Sequence, residues 1–354
     1  MTSAMIHYFS ATGNSYHAAT VVERRLKEAG YNIEWQRVEG GTTPPDSHHD
    51  LHLFTFPVYA TDMPDIMAKY MWKLPRGNGA KAAIIATNGS IHATTRVPGA
   101  QGDPGSSFDH ARLILWLKGY QVVLADAAPY PHSVTIGLPV ANEAEQSRII
   151  DLADRRVDGL AQKLVKGERS VRHNLLLAII YVPTGLTYGL FGRHFIGKLY
   201  VADGKCNGCG ICAKTCPVGS IRLTAGKPSW NWRCQGCMRC INMCPKHAIN
   251  TSIARIALLI AIPLLTIEWW PNTITQSLGL PTGIVGITLS LIIGLAILYG
   301  VDKALFLLER TPITHSLLSV SFNWWFRRYL DPKFRAELNR TPKDKRTGGT
   351  RELG

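Results

Sequence analysis

Most of this chain has no cysteine. All eight of its cysteines fall between Cys206 and Cys244 in a chain of 354 residues. The N-terminus carries no apolar stretch of the secretory-signal type, so neither an oxidising compartment nor a disulfide framework is expected. Acidic residues are scarce in the second half. Residues 170–354 hold 22 Lys and Arg against 8 Asp and Glu, whereas 1–169 hold 17 of each. Between 170 and 251, ten basic residues face a single acid, Asp203. The formal net charge of +14 therefore belongs to the C-terminal part. Such charge suits an acidic redox partner or an anionic surface. No nucleic-acid-binding motif accompanies it, so nucleic acid is not expected as a partner. Two further absences narrow the chemistry. The turn at 10–15 is rich in hydroxyls but has no lysine, which excludes a nucleoside-triphosphate P-loop. The apolar stretches after residue 252 carry no Asp, Glu, Lys or His at their centres, which argues against an ion pump or proton relay.

What is present begins with the cysteines. They form two runs of one pattern: Cys206, Cys209, Cys212 and Cys216 followed by Pro217, then Cys234, Cys237, Cys240 and Cys244 followed by Pro245. The C-x2-C-x2-C-x3-C-P spacing lets three thiolates curl around one iron–sulfur cube, while the local loop has no room for a fourth. Gly208, Gly210 and Gly236 suit a backbone that bends tightly near sulfur. Each proline fixes the chain just past the fourth cysteine. Zinc sites use two pairs of ligands, not triplets with a trailing cysteine-proline. Over residues 200–250 the chain resembles bacterial two-cluster ferredoxins, a small α+β ferredoxin-like fold. The resemblance implies two 4Fe-4S clusters, the fourth cysteine of each run serving the other cluster. One cluster would then take Cys206, Cys209, Cys212 and Cys244, and the other Cys234, Cys237, Cys240 and Cys216.

The N-terminal half alternates short apolar strands, near 4–9, 32–38, 51–56, 81–87 and 121–127, with helical periods near 14–29, 64–73, 107–118 and 143–166. This alternation predicts an α/β, doubly wound parallel sheet. Glycines and prolines crowd 40–46, so the second crossover is expected to be short or irregular. A strand, a hydroxyl-rich turn and a helix start make a phosphate cradle, in which backbone N–H groups and the helix dipole face an anion. Here the chain resembles flavodoxins. The resemblance implies FMN, with its phosphate in the loop Ser10, Ala11, Thr12, Gly13, Asn14 and Ser15. It implies a second flavin loop at Pro57, Val58, Tyr59 and Ala60, with Tyr59 stacked on the ring. A third loop would follow the fourth strand at Thr87, Asn88, Gly89 and Ser90, where Gly89 admits backbone to the pyrimidine edge. His7, His92, His110 and His132 are expected to be structural, His92 being the one closest to the third loop.

Beyond the cysteines, 253–270 and 284–308 are apolar, and 271–283 between them contain no Lys or Arg. About twenty helical residues span the hydrocarbon core of a bilayer. The expectation is an α-helical transmembrane hairpin, with Arg255 snorkelling to the near interface and Trp269 and Trp270 at the far one. Residues 175–197 are apolar but broken by Pro183, Gly185, Gly189 and Gly192, and are expected to be a membrane-surface or re-entrant linker. Residues 312–330 are expected to form an interfacial helix. The plan is 1–169 for FMN, 170–199 for the linker, 200–251 for the clusters, 252–310 for the hairpin, and 311–354 for the interfacial helix and a mobile basic tail. Over 3–250 the chain resembles prokaryotic flavodoxin–ferredoxin fusion proteins, which implies electron exchange within one polypeptide. The leading expectation is a membrane-anchored electron-transfer protein of a larger redox complex. It would sit at a prokaryotic cytoplasmic membrane with its redox domains on the cytoplasmic face. Its partners would be a low-potential ferredoxin-type carrier or a membrane redox complex, the lipid bilayer, and quinone. The alternatives are an FMN-dependent reductase of quinone or a small substrate, and a flavin-free docking subunit carrying only the clusters.

Overall fold

A computed structural model describes residues 2–93, 104–136, 139–172, 181, 183–185, 187–259, 284–309, 311–321, 323 and 325–336. Six strands, β1 (Ser3–Tyr8), β2 (Asn32–Arg37), β3 (Leu51–Pro57), β4 (Lys81–Ser90), β5 (Gln121–Pro131) and β6 (Ser170–Val171), form one sheet in the order β2-β1-β3-β4-β5-β6. Every pairing in it is parallel. The order reverses between β1 and β3, the switch point at which open α/β sheets bind ligands. Central β3 is buried at every position from Leu51 to Phe56, as a strand covered on both faces must be. Helices α1 (Asn14–Glu28) and α4 (Glu143–Val165) cover one face, and α2 (Asp65–Trp72) and α3 (Ser107–Leu117) cover the other. α1 packs through Ala18, Ala19, Val22 and Leu26, a stripe at helical spacing. α4 begins at a side-chain cap, Asn142 Oδ1 accepting from Glu145 N–H at 2.9 Å. Residues 38–50 join β2 to β3 without a helix, as their prolines and glycines foretold. β4 and β5 run further than expected, pairing Gly89 with Tyr130 and Ser90 with Pro131.

The cysteine-bearing segment is a small α+β unit. β7 (Tyr200–Ala202) pairs antiparallel with β10 (Ile249–Thr251), and β8 (Ile221–Thr224) with β9 (Lys227–Trp230). Single helical turns, α5 (Ile211–Lys214) and α6 (Arg239–Asn242), lie within the two cysteine runs. Tyr200, Ile221, Trp230, Ile241 and Ile249 build its core together with Cys216, Cys234 and Cys240.

The transmembrane hairpin is overturned: among the described residues no helix is long and apolar enough to cross a membrane. The expected placement at a cytoplasmic membrane falls with it. The second apolar stretch does form a helix, α7 (Ile284–Leu308), but its C-terminal turns dock on protein through charge. Lys198 Nζ donates to Asp302 Oδ2 at 2.8 Å, and Arg255 Nη1 reaches Asp302 Oδ1 at 3.5 Å. Arg255 Nε also donates to Glu309 Oε1 at 2.6 Å. Arg255, expected to snorkel to the near membrane interface, is instead buried in an ion-pair network. Residues 260–270 of the expected first arm, Trp269 and Trp270 among them, the connecting loop 271–283 and 173–180 of the linker lie outside the described residues. The described part of the linker packs on protein, Arg193 Nη1 meeting Asp65 Oδ2 at 2.6 Å and His194 Nδ1 facing the Trp232 carbonyl.

After α8 (Pro312–Leu318) none of the described residues is helical. It crosses back over both halves as a strap. Asn323 Nδ2 donates to Thr135 O at 3.0 Å, Arg328 Nη2 to Ile249 O at 3.0 Å, and Tyr329 N–H to Asn242 Oδ1 at 3.0 Å. The expected mobile tail, 341–354, lies outside the described residues.

Candidate functional site

β1 runs into the turn at 10–15, and Gly13 sets its shape. Its φ of 113° belongs to the left-handed half of backbone space, and a Cβ there would stand 2.2 Å from the Cβ of Asp331. Gly13 N–H donates to Ser10 Oγ at 3.1 Å, and no side chain caps the start of α1. The helix thus presents uncapped N–H groups and the positive end of its dipole. Ser15 Oγ lies 2.8 Å from Thr87 Oγ1, and Asn14 Nδ2 donates to Pro131 O at 2.8 Å. These bonds tie the turn to the ends of β4 and β5. The second segment is a tight turn. Tyr59 N–H donates to Asp62 O at 2.8 Å and Asp62 N–H donates back to Tyr59 O at 3.1 Å. The third segment is not a loop: Asn88, Gly89 and Ser90 continue β4, held by β5 beside them.

Together these elements enclose a cavity of about 270 Å³. Of the residues expected there, Ser10, Ala11, Thr12, Asn14, Ser15, Pro57, Val58, Tyr59, Ala60, Thr87, Asn88 and Gly89 line it. Gly13 and Ser90 do not; Ser90 Oγ instead donates to His92 O at 2.8 Å. Thr61, also in the second flavin loop, lines it too, whereas sequence reasoning missed Ile91, Pro131, His132, Ser133 and Val134. The signal was available, since β5 follows β4 at the same carboxyl edge and its continuation must border the switch point. His132 rather than His92 reaches the cavity, and burial lowers its pKa, which favours the neutral ring. His7 is structural, hydrogen-bonded inside the sheet to Tyr70 and His52. Four buried polar atoms of cavity-lining residues, Asn14 Oδ1, Tyr59 Oη, Thr61 Oγ1 and His132 Nε2, have no hydrogen-bond partner. Buried polar groups are nearly always paired, so the wall suits a polar ligand. An uncapped helix start for a phosphate, Tyr59 for a ring and unpaired amide, hydroxyl and imidazole atoms for its edge fit FMN.

The cysteines divide by position. None of the eight is in a disulfide. Burial and then the neighbouring thiols Cys206, Cys244 and Cys209 push the Cys212 thiol up to about 11. Burial pushes Cys234 up to about 12 and Cys237 to about 11, and Cys240 also rises well above the usual thiol range. Cys240 feels Cys234, Cys237 and Cys216. Cys244 thus lies near Cys212 of the first run, and Cys216 near Cys234 and Cys240 of the second. Backbone N–H groups already point at sulfur: Ser220 to Cys216 at 3.3 Å, Gly236 to Cys234 at 3.4 Å, and Ala248 to Cys244 at 3.3 Å. Among the described residues no group of three or more His, Cys, Asp or Glu could hold a metal ion. Four thiolates around a four-iron cube stand further apart than the ligands of one ion.

The cavity and the inner thiols share a wall. Tyr59 lines the cavity, and its buried hydroxyl is pushed far above the usual phenol range, first by burial and next by Cys237. Cys237 packs against the same core as Val58 and Tyr59. Met238 Sδ accepts from Thr135 N–H at 3.3 Å. Arg239 donates to the carbonyls of Ser10 at 2.6 Å, Ala11 at 3.2 Å and Thr215 at 2.8 Å, and to Glu39 Oε1 at 2.7 Å. From outside, the strap closes over the turn: Asp331 N–H donates to Thr12 O at 2.8 Å. The Asp331 carboxylate lies 3.0 Å from His17 Nδ1, whose Nε2 lies 3.0 Å from Asp154. Bonds to Asp154 and Asp331 raise His17 to about 9.

Residues 198–245 match the family described as the 4Fe-4S dicluster domain. That segment carries two 4Fe-4S clusters, and electron transfer is the function it brings. No curated protein matches the chain. Among solved structures it is similar to the two-electron reduced flavodoxin of Megasphaera elsdenii, at 18% identity and a TM-score of 0.28, over 43% of this chain and 98% of that one. It is similar to a flavodoxin from the domain Archaea, at 15% identity and a TM-score of 0.30, over 47% of this chain and 99% of that one. The flavodoxin of Streptococcus pneumonia TIGR4 stands at 16% identity and a TM-score of 0.29, over 46% of this chain and 99% of that one. Likenesses of this size carry no argument about the cofactor, which rests on the cavity itself.

Proposed function

We propose that the chain is an electron-transfer protein that holds FMN in the cavity at the switch point and two 4Fe-4S clusters beside it. Cys206, Cys209, Cys212 and Cys244 hold an outer cluster; Cys216, Cys234, Cys237 and Cys240 hold an inner one. One observation carries this reading: Cys237, Met238 and Arg239, consecutive in the inner run, touch the wall, the rim and the turn of the cavity. FMN exchanges one or two electrons and each cluster one, so together they join one-electron and two-electron chemistry. The chain's own residues position and insulate. Arg239 fixes the carbonyls of the phosphate turn. Tyr59 and Val58 fill the space between the cavity and Cys237, keeping water out.

The two cysteine sets differ in access. Cys216, Cys234 and Cys240 are buried, whereas Cys209 is exposed. Exposed Lys205, Lys214, Arg222, Lys227 and Lys246 lie in the same small unit as Cys209. That charge suits docking of an acidic, ferredoxin-type one-electron carrier at the outer cluster.

Anaerobic purification of the full chain, with iron and flavin analysis followed by rapid reduction, tests the reading. About eight iron atoms and one FMN per chain are expected, with flavin and cluster absorbance changing in one linked sequence. Full iron with no flavin, even after incubation with FMN, leaves only a docking subunit. Flavin and clusters that reduce independently would sink the relay.

A further inference from the structure

This inference rests on the two-cluster reading and deepens it. Buried donors without partners gather around the inner cysteines. Tyr200 and Trp230 are 2% and 6% exposed, and their rings meet edge to face with centroids 5.6 Å apart. Both pack in one core with Cys216, Cys234 and Cys240. Neither Tyr200 OH nor Trp230 Nε1 has a hydrogen-bond partner. An indole N–H can only donate, and a phenol readily does. A dry core does not leave such groups idle without cost.

The core they share is rich in sulfur. A Cβ at Gly197 would stand 2.9 Å from Cys234 Sγ and 3.4 Å from Trp230 Cβ, so both crowd the same glycine. A neutral thiol is a weak acceptor, whereas a metal-bound thiolate or sulfide is a strong one. These donors are therefore set for charge that a bound cluster brings.

We infer that Tyr200 and Trp230 are positioning residues that donate hydrogen bonds to the sulfur atoms of the inner cluster and raise its reduction potential. Hydrogen bonds to sulfur stabilise the reduced, more negative cluster.

The test is an electron-paramagnetic-resonance redox titration of the anaerobically purified full chain, with iron content read alongside. Tyr200→Phe and Trp230→Phe are each expected to shift the reduction equilibrium of one cluster about tenfold, roughly 59 mV downward for one electron, and to leave the other in place. Unmoved potentials at full iron content would overturn the inference, as would equal shifts of both clusters. Should a variant fail to load its cluster, the wild-type chain decides: with indole-¹⁵N tryptophan, pulsed resonance of the reduced protein is expected to show a ¹⁵N coupling to one cluster, and its absence overturns the donor role. A wild-type chain without two clusters fails the underlying reading first, before any variant is compared.

Discussion

Arg239 occupies the junction of the two halves with its guanidinium fully committed. It is 1% exposed, and its donors go to Glu39 and to three carbonyls drawn from the phosphate turn and the cysteine unit. Removing it leaves those buried carbonyls without their donor and Glu39 with Arg37 as its remaining ion pair. Arg239→Met is expected to destabilise the chain by about 3–5 kcal/mol, the usual cost of breaking a buried pair from one side. Anaerobic urea denaturation would read this as a fall in midpoint. Arg239→Lys should recover only part, because an ammonium cannot reach four acceptors arranged around a planar fork; full recovery would show that charge alone matters. The residue itself was in plain view between Met238 and Cys240. Its depth was not, because nothing local distinguishes it from the exposed Lys205 or Lys246. What separates them is a partner, Glu39, two hundred residues away in sequence.

At the scale of elements, legibility followed locality. The strands and helices of the first half were readable because one face of each repeats at a fixed period within its own span. The turn at 10–15 and the two cysteine runs were readable for the same reason. The extension of β4 through Ser90 was not, since it depends on β5 standing alongside. α7 was misread because hydropathy reports that a face avoids water, not whether lipid or protein covers it. The pairing of Asp302 with Lys198 and Arg255 is invisible from either end of the sequence. The strap was missed likewise, 312–330 being read as an interfacial helix whereas Tyr329 is buried against protein. His17 makes the strap sensitive to pH. Its folded pKa of about 9 lies above the usual 6.5. A raised histidine contributes its stability in full below the unfolded value and loses it as pH rises through the folded one. The bonds to Asp331 and Asp154 therefore hold near neutrality and fade through about pH 9. Limited proteolysis of the strap should accelerate severalfold between about pH 7 and pH 10, a loss on the order of 1 kcal/mol after solvent screening of Asp154. His17→Ala should be cut at one rate across that range. A wild-type rate that ignores pH would remove His17 as the fastening.

For the whole molecule, the charge asymmetry and the burial asymmetry point the same way. The net charge of +14 arises in the half that holds the cysteines, and the exposed lysines lie in the unit whose first run includes the exposed Cys209. Electrons entering or leaving through a protein partner would do so at the outer cluster, while the inner cluster faces the cavity through Tyr59 and Cys237. Steering by such a surface acts on the encounter rate, and salt screens it with a Debye length of about 8 Å at physiological ionic strength. Reduction by an acidic one-electron carrier should slow roughly tenfold between low and physiological salt. Charge reversal at Lys205→Glu, Lys214→Glu and Lys227→Glu should produce a similar loss at low salt and abolish most of the salt dependence. The subsequent exchange between clusters and flavin, followed in the same stopped-flow trace, should keep its rate, because none of the three lysines is bonded to a cysteine or lines the cavity. Slowing of both phases would mean that the substitutions disturb the cysteine unit rather than the encounter. A first phase indifferent to salt would place the partner on another face, and the exposed Cys209 would then need a different explanation.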